Sequence, residues 1–336
     1  MSRSVHSRQA RVYRGTEPNL GLLARALKRG ELVAIPTETV YGLAANALDP
    51  RACRSIFRAK GRPTADPLIV HVHDWSQLET LALPNAAARR LSEVFWPGPL
   101  TMVLPKRDMV PDIVTSGLPS VAIRMPAHRL FRRLLKRCGL PLAAPSANPF
   151  GYVSPTSAAH VAAGLGGRID HILDGGACRI GLESTIVDLR DPRHPRILRP
   201  GAVTREQIAA VLGRPVAAKR PRNGGAVPQV APGLLKRHYS PRTPVVLHEH
   251  ISERAWRRST ADEAWLLAGK PAGGRTPDNV FWLDARGQLP AAARRLFARL
   301  RELDGRGFRR IHAELVRGTG IADAINDRLR RAAARG

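Results

Sequence analysis

Cysteine is scarce in this chain and poorly placed for metal or disulfide chemistry. Cys53, Cys138 and Cys178 lie far apart and form no CxxC pair, which argues against a zinc site or a disulfide framework. No apolar run approaches the roughly 20 residues that span a bilayer. The basic N-terminal stretch lacks the apolar core of a signal peptide, so a cytoplasmic protein with no membrane attachment is expected. The common nucleotide fingerprints are missing too: there is no GxxxxGK[ST] loop and no GxGxxG after a strand. Acidic residues are outnumbered, 27 against 54 basic ones, leaving a net charge of +27. Lysine is rare within that excess, with seven lysines against 47 arginines. Such a charge points to a polyanionic partner, either nucleic acid or a phosphate-bearing ligand. The arginines are spread along the whole chain, however, which a compositional bias of the genome also explains.

What is present is enough apolar material, 43% of 336 residues, to bury two cores. Leu20, Leu23, Ala24 and Leu27 share one face of a helix over 19–29, followed by a strand over 31–35. Asp49-Pro50 is an N-cap followed by proline at the first helical position, and the helix it opens stops at Gly61. Short strands are expected at 68–72, 100–104, 121–124, 142–144, 171–173, 184–189 and 196–198, with helices at 85–95, 127–137 and 157–163. Thr204 and Gln207 form a capping box for a helix that ends near Gly213. Residues 214–243 are rich in Pro, Gly and Arg and read as a long linker. Strands at 245–247, 264–267, 280–283 and 310–315 alternate beyond it with helices at 289–303 and 321–331, as in a small parallel α/β domain. The expected division is 12–213, a linker at 214–243, and 244–336.

Five clusters carry possible chemistry. Thr37, Glu38, Thr39 and Gly42 lie just past a strand end, where a ligand crevice forms in open α/β sheets; a plain turn held by threonine side chains is the alternative. Lys60 and Arg62 flank the helix-ending Gly61. They combine a point charge with a bidentate fork, suited to a triphosphate, or they cap the helix in water. His71 closes an apolar strand, where a structural hydrogen bond is the commoner role. Arg124 stands among the small and apolar side chains of its strand. If buried it needs an anion, from a core carboxylate or from a substrate. Ser146 and Asn148 follow the break at Pro145, where a hydroxyl and a backbone N–H can cradle phosphate. Ser154 and the 181–185 turn add hydroxyls.

Taken together the motifs are specific. PTETVYGLAANA (36–47), FRAKGRP (57–63), PLIVHV (67–72), WPGPLT (96–101), VAIRMPAH (121–128), AAPSAN (143–148), GLESTIVD (181–188) and ILRPG (197–201) resemble, in order and spacing, the YrdC-type threonylcarbamoyl-AMP synthases. APGLLKRHYSP (231–241) and AINDRL (324–329) are similar to the linker and appended domain of that family's long form. The resemblance implies a twisted, mostly mixed sheet with helices around a basic cavity, joined by the linker to a small Rossmann-like parallel domain. It implies a synthesis of L-threonylcarbamoyladenylate and pyrophosphate from L-threonine, bicarbonate and ATP. Lys60, Arg62, Ser146 and Asn148 match the family's catalytic Lys-x-Arg and Ser-x-Asn hallmark. Asp66, Ser120, Ser154, Arg199 and Tyr239 match its other ATP-contacting positions, with Tyr239 closing over the nucleotide. Thr39, His71, Arg124, Ala144 and Ser184 match threonine-contacting positions, Arg124 facing the threonine carboxylate. Mg2+ is expected to arrive with ATP, without a protein metal site. A downstream transferase would take the product to adenosine in tRNA, and weak RNA contact with this chain is compatible with its charge. A pure RNA-binding module of the same fold is the alternative. Two departures stand out: Asp66 occupies a position where the family commonly has Asn, and Ser120 one where it commonly has Thr.

Overall fold

A computed structural model describes residues 9–218, 230–232, 239–272 and 275–334. Much of the 214–243 segment, including 233–238 of the APGLLKRHYSP stretch, therefore lies outside the described residues. Fifteen strands are present among those described: β1 (Arg11–Arg14), β2 (Val33–Ile35), β3 (Gly42–Asn46), β4 (Ile69–His71), β5 (Leu100–Pro105), β6 (Ser120–Arg124), β7 (Leu142–Ala143), β8 (His171–Asp174), β9 (Thr185–Asp188), β10 (Arg196–Arg199), β11 (Ala217–Ala218), β12 (Val245–His248), β13 (Glu263–Gly269), β14 (Val280–Asp284) and β15 (Arg310–Glu314).

The first eleven form one mixed sheet in the order β1-β8-β2-β3-β7-β4-β6-β5-β9-β10-β11. Pairs β4/β6 and β5/β9 are parallel, whereas β2/β3, β3/β7, β5/β6 and β9/β10 are antiparallel. The other four form a wholly parallel sheet, β12-β15-β13-β14. Helices Glu253–Arg257, Leu289–Asp304 and Ile321–Ala333 belong to this second sheet. A twisted mixed sheet followed by a small parallel one agrees with the expected fold class.

Local signals explain the helix boundaries. The Asp49 side chain accepts a hydrogen bond from Arg51 N, and Gly61 ends the helix Pro50–Lys60 in the left-handed region at φ 64, where glycine is cheapest. The Thr204–Gln207 capping box forms and Gly213 closes its helix. The main surprise is β3, which continues the expected 36–42 turn into a strand. GLAAN has weak strand propensity. It stands between β2 and β7 because space there is tight: a Cβ on Gly42 would lie 3.2 Å from both Ala144 Cβ and Ile35 Cδ1. The helix Trp75–Leu81, capped by Asp74, is also absent from the expected set.

Candidate active site

Strand ends supply the site. His71 closes β4 and Arg124 closes β6, and the two are register partners across that parallel pair. The 36–41 turn follows β2, the 144–148 turn follows β7, Ser184 immediately precedes β9, and Arg199 closes β10. They converge on a cavity of about 40 Å3 lined by Thr37, Thr39, Arg62, His71, Arg124, Ser146, Glu183, Ser184, Arg199 and Tyr239, among others.

The side chains around it are buried and heavily charged. Arg62 forms an ion pair with Asp66, its Nη2 standing 2.9 Å from Oδ2, and donates from Nε and Nη2 to the carbonyls of Asp66 and Pro67. Arg124 donates to Glu38 Oε1 at 2.6 Å, to Thr39 Oγ1 at 2.9 Å and to Gly98 O. Arg199 donates to the Ser184 carbonyl and Oγ, each at 3.1 Å, while Ser184 Oγ lies 2.7 Å from Thr101 Oγ1. Glu183 accepts from Ser154 Oγ at 2.5 Å and from Arg328 Nε at 3.0 Å. Lys60 donates to the carbonyls of Ser146 and Asn148, both at 2.6 Å. Among the described residues, five buried cations thus meet three buried carboxylates around this cavity. Each lines the cavity or touches a residue that does.

Burial sets the titration behaviour. It pushes Lys60 well below the usual lysine range, with the Arg62 charge adding and Asp66 opposing; the two close carbonyls still supply the acceptors an ammonium needs. Burial also lowers Arg62 and Arg199. His71 is pushed down to about 3 by burial and then by the Arg124 charge, so it is neutral at pH 7. For Glu38 burial acts upward, but the charge and hydrogen bond of Arg124 outweigh it and hold the carboxyl low. The site can therefore neutralise an anion strongly, and His71, the histidine among its described lining residues, carries no charge there at pH 7.

A family model named for Sua5, YciO and YrdC and described as "Telomere recombination" matches residues 25–201. A second, "Threonylcarbamoyl-AMP synthase, C-terminal domain", matches 203–334. The chain is 42% identical over 325 residues to the threonylcarbamoyl-AMP synthase of Pyrococcus abyssi, covering 94% of each. It is equally similar, at 42% over 325 residues, to that of Bacillus subtilis, with 94% of this chain and 93% of the other covered. The chain belongs to the Sua5/YciO/YrdC family. The crystal structure of P. abyssi Sua5 complexed with L-threonine superposes with a TM-score of 0.85, at 40% identity over 96% of each chain. Escherichia coli YciO, at 21% identity and a TM-score of 0.51, matches 57% of this chain and 96% of its own, and shares the fold alone.

Within this Sua5-type chain, the residues singled out from sequence divide into two layers. Thr39, Arg62, His71, Arg124, Ala144, Ser146, Ser184, Arg199 and Tyr239 line the cavity. Lys60, Asp66, Ser120, Asn148 and Ser154 are not among its lining residues. All of these but Ser120 hold parts of its wall: Lys60 ties down the 146–148 turn, Asp66 pairs with Arg62, Asn148 donates to the carbonyls of Pro149 and Tyr152, and Ser154 holds Glu183. Ser120 is buried at the start of β6, and its Oγ has no hydrogen-bond partner among the described residues. The solvated capping role open to Lys60 and Arg62 is excluded, since they are 2% and 6% exposed. Arg124 has a core carboxylate, Glu38, as its partner here, and among the described residues three of its five N–H groups are engaged. Sequence reasoning missed Glu183 and Arg328 as site residues. Both sit inside motifs already conspicuous, GLEST and AINDRL, but nothing in either motif says that its charge is buried against the other.

Proposed function

We propose that this chain is a threonylcarbamoyl-AMP synthase, a nucleotidyltransferase that makes L-threonylcarbamoyladenylate and pyrophosphate from L-threonine, bicarbonate and ATP. The observation that carries this reading is the buried cation excess around one cavity, beside the hydroxyls of Thr37, Thr39, Ser146 and Ser184. The implied chemistry begins with the threonine amine bonding to bicarbonate carbon, with loss of water, to give the carbamate. A carbamate oxygen then attacks the α-phosphorus, and the bond to pyrophosphate breaks. Such a reaction needs positioning and charge neutralisation more than acid–base groups. Arg62, Arg199 and Ser146 are proposed to meet the phosphates from the cavity wall. Lys60 and Asn148 act from behind it by fixing the turn that carries Ser146. Thr39, His71, Ala144 and Ser184 would hold threonine, with the spare N–H groups of Arg124 on its carboxylate.

The three buried carboxylates nearby are each committed to an arginine, so magnesium is proposed to enter as MgATP, carried by the phosphates. Ligand pockets commonly run from about 300 Å3 upward, far more than the cavity seen here. Tyr239 is 1% exposed and holds φ 63, a backbone conformation costly for a bulky residue. It is proposed to swing away for substrates to enter and to close again over the nucleotide, excluding water from the labile carbamate. Product would pass to a threonylcarbamoyl transferase acting on tRNA.

Pyrophosphate release measured with each substrate omitted in turn tests the assignment. The expected rate depends jointly on L-threonine and bicarbonate. An unchanged rate without threonine, or with any other amino acid in its place, would overturn it. Tight tRNA binding with a steep salt slope and no turnover would instead favour a binding module.

A further inference from the structure

Arg328 is the largest fully buried side chain among the described residues, and it belongs to the helix Ile321–Ala333 of the second sheet. An arginine with 0% exposure is costly to desolvate. Its neighbour Asp327 supplies one acceptor, at 3.0 Å. The other partners lie across the boundary, in the region of the eleven-stranded sheet. Nε donates to Glu183 Oε2 at 3.0 Å, and Nη1 donates to the Pro200 carbonyl at 2.7 Å. The guanidinium carbon stands 5.5 Å from the centre of the Tyr239 ring.

Those partners are parts of the cavity wall or adjoin it. Glu183 and Tyr239 line the cavity, Ser184 follows Glu183, and Pro200 follows Arg199. Glu183 is gripped from both sides, by Ser154 on Oε1 and by Arg328 on Oε2. The docking around this grip is tight. Gly181 has φ +79, and a Cβ there would come within 2.5 Å of Arg294 Cα in the helix Leu289–Asp304. From the same helix Arg301 Nη2 donates to the Val153 carbonyl at 2.5 Å. A single apolar cluster joins Val153, Leu182 and Tyr239 to Leu296, Phe297 and Ile325 of the second region.

We propose that Arg328 is a positioning residue of the synthase site, by which the appended C-terminal region completes the nucleotide wall of the cavity. It holds the Glu183 carboxylate and seats the Tyr239 ring, which line the same cavity as Arg199, the guanidinium assigned to the phosphates. This rests on the synthase reading above. It gives the second region a part in turnover beyond carrying the linker.

The test uses the full chain and three variants: Arg328→Met, Glu183→Met and the double variant Arg328→Met/Glu183→Met. Removing one charge strands the other in a buried site, so either single variant can lose stability, whereas replacing both by apolar groups often leaves stability unchanged or higher. Thermal melts report folding, and pyrophosphate release reports kcat and KM for ATP and for threonine separately. The expected result is a double variant that melts like the parent yet has lost at least about tenfold in kcat/KM for ATP, with the threonine KM within about threefold. That loss is the modest size expected of a residue acting through its neighbours rather than on the reacting atoms. A folded double variant with parental kcat/KM for ATP would mean that the pair only supports the fold, and would overturn the proposal. An equal loss in threonine KM would also overturn it, because the effect would not be confined to the nucleotide wall. The unmodified chain is the control for the underlying reading. If it shows no threonine- and bicarbonate-dependent turnover, both fall together; if it does and the double variant is normal, only this inference falls.

Discussion

The two sheets bury charge for different ends. In the parallel sheet, Asp284 accepts from the backbone N–H groups of Arg286 and Gln288 ahead of the helix Leu289–Asp304, and it pairs with the half-exposed Arg295. That is local backbone satisfaction of the kind every helix start requires. Around the mixed sheet, Lys60, Arg62, Arg124 and Arg199 are buried beside Glu38, Asp66 and Glu183. These cations exceed what the carboxylates balance, and the surplus gathers on one cavity. A buried charge that answers a nearby backbone group serves the fold. A buried surplus of one sign is a cost that a ligand of the other sign offsets. Arg328 is the exception: it grows from the parallel sheet's side and discharges on the cavity's Glu183.

Arginines of the two regions should therefore respond oppositely to truncation. Arg62→Ala is expected to lower kcat/KM for ATP by at least about a hundredfold, the order seen when one electrostatic stabiliser is removed from a transition state. Arg309 of the second region is 60% exposed and pairs on the surface with Asp262 and Glu263. Arg309→Ala should leave turnover at the parental value and change stability by no more than about 0.5 kcal/mol. Side-by-side steady-state kinetics and urea melts read both. Normal turnover in Arg62→Ala would remove the phosphate role from that wall.

A smaller effect concerns acid. His71 is 2% exposed, and burial pushes its folded pKa down from the ordinary 6.5 of a histidine to about 3. Between those values the unfolded chain binds a proton that the folded chain does not. Stability is then fully present above about pH 6.5 and is lost as pH falls, at about 1.4 kcal/mol per unit for this one group. Glu38, held low by Arg124, adds loss in the same direction at lower pH. The expected outcome for His71→Gln is a shallower slope at pH 5, by about one proton taken up on unfolding, in urea melts run from pH 7 to pH 4. An unchanged slope would mean that His71 does not stay neutral in the folded cavity.

Much of this was legible in the sequence because its signals are local. Asp49-Pro50, Gly61 and the Thr204–Gln207 box each act within a few residues, and the helices they bound came out within a residue or two. Candidate site residues were singled out by motif, and nine of them line the cavity. What stayed hidden is non-local. β3 has the composition of a turn, and only the crowding by Ala144 and Ile35 makes Gly42 and the alanines after it fit a strand. Glu38 was visible as a carboxylate and Arg124 as a buried arginine, but 86 residues separate them and no periodicity links them. The Glu183–Arg328 pair spans 145 residues and two sheets. A charge inside an apolar motif signals that a partner exists; only the fold says which one.

Asp66 offers the finest test of the contrast, because it is the one carboxylate of the cavity region whose removal should do little. Its carboxylate faces Arg62 as an ion pair, Oδ2 standing 2.9 Å from Nη2. The guanidinium's hydrogen bonds go to the backbone carbonyls of Asp66 and Pro67 at 2.9 and 2.7 Å, and these survive any side-chain change. In Asp66→Asn those acceptors remain, while one negative charge leaves the neighbourhood of the phosphates. The positive surplus grows and Arg62 keeps its aim. The KM for ATP should therefore fall, by less than about tenfold or about 1.4 kcal/mol, since the charge removed is already offset by Arg62. Its dependence on ionic strength should steepen. A hundredfold loss of kcat instead would mean that the carboxylate itself orders Arg62, and that the backbone carbonyls alone cannot hold the guanidinium in place.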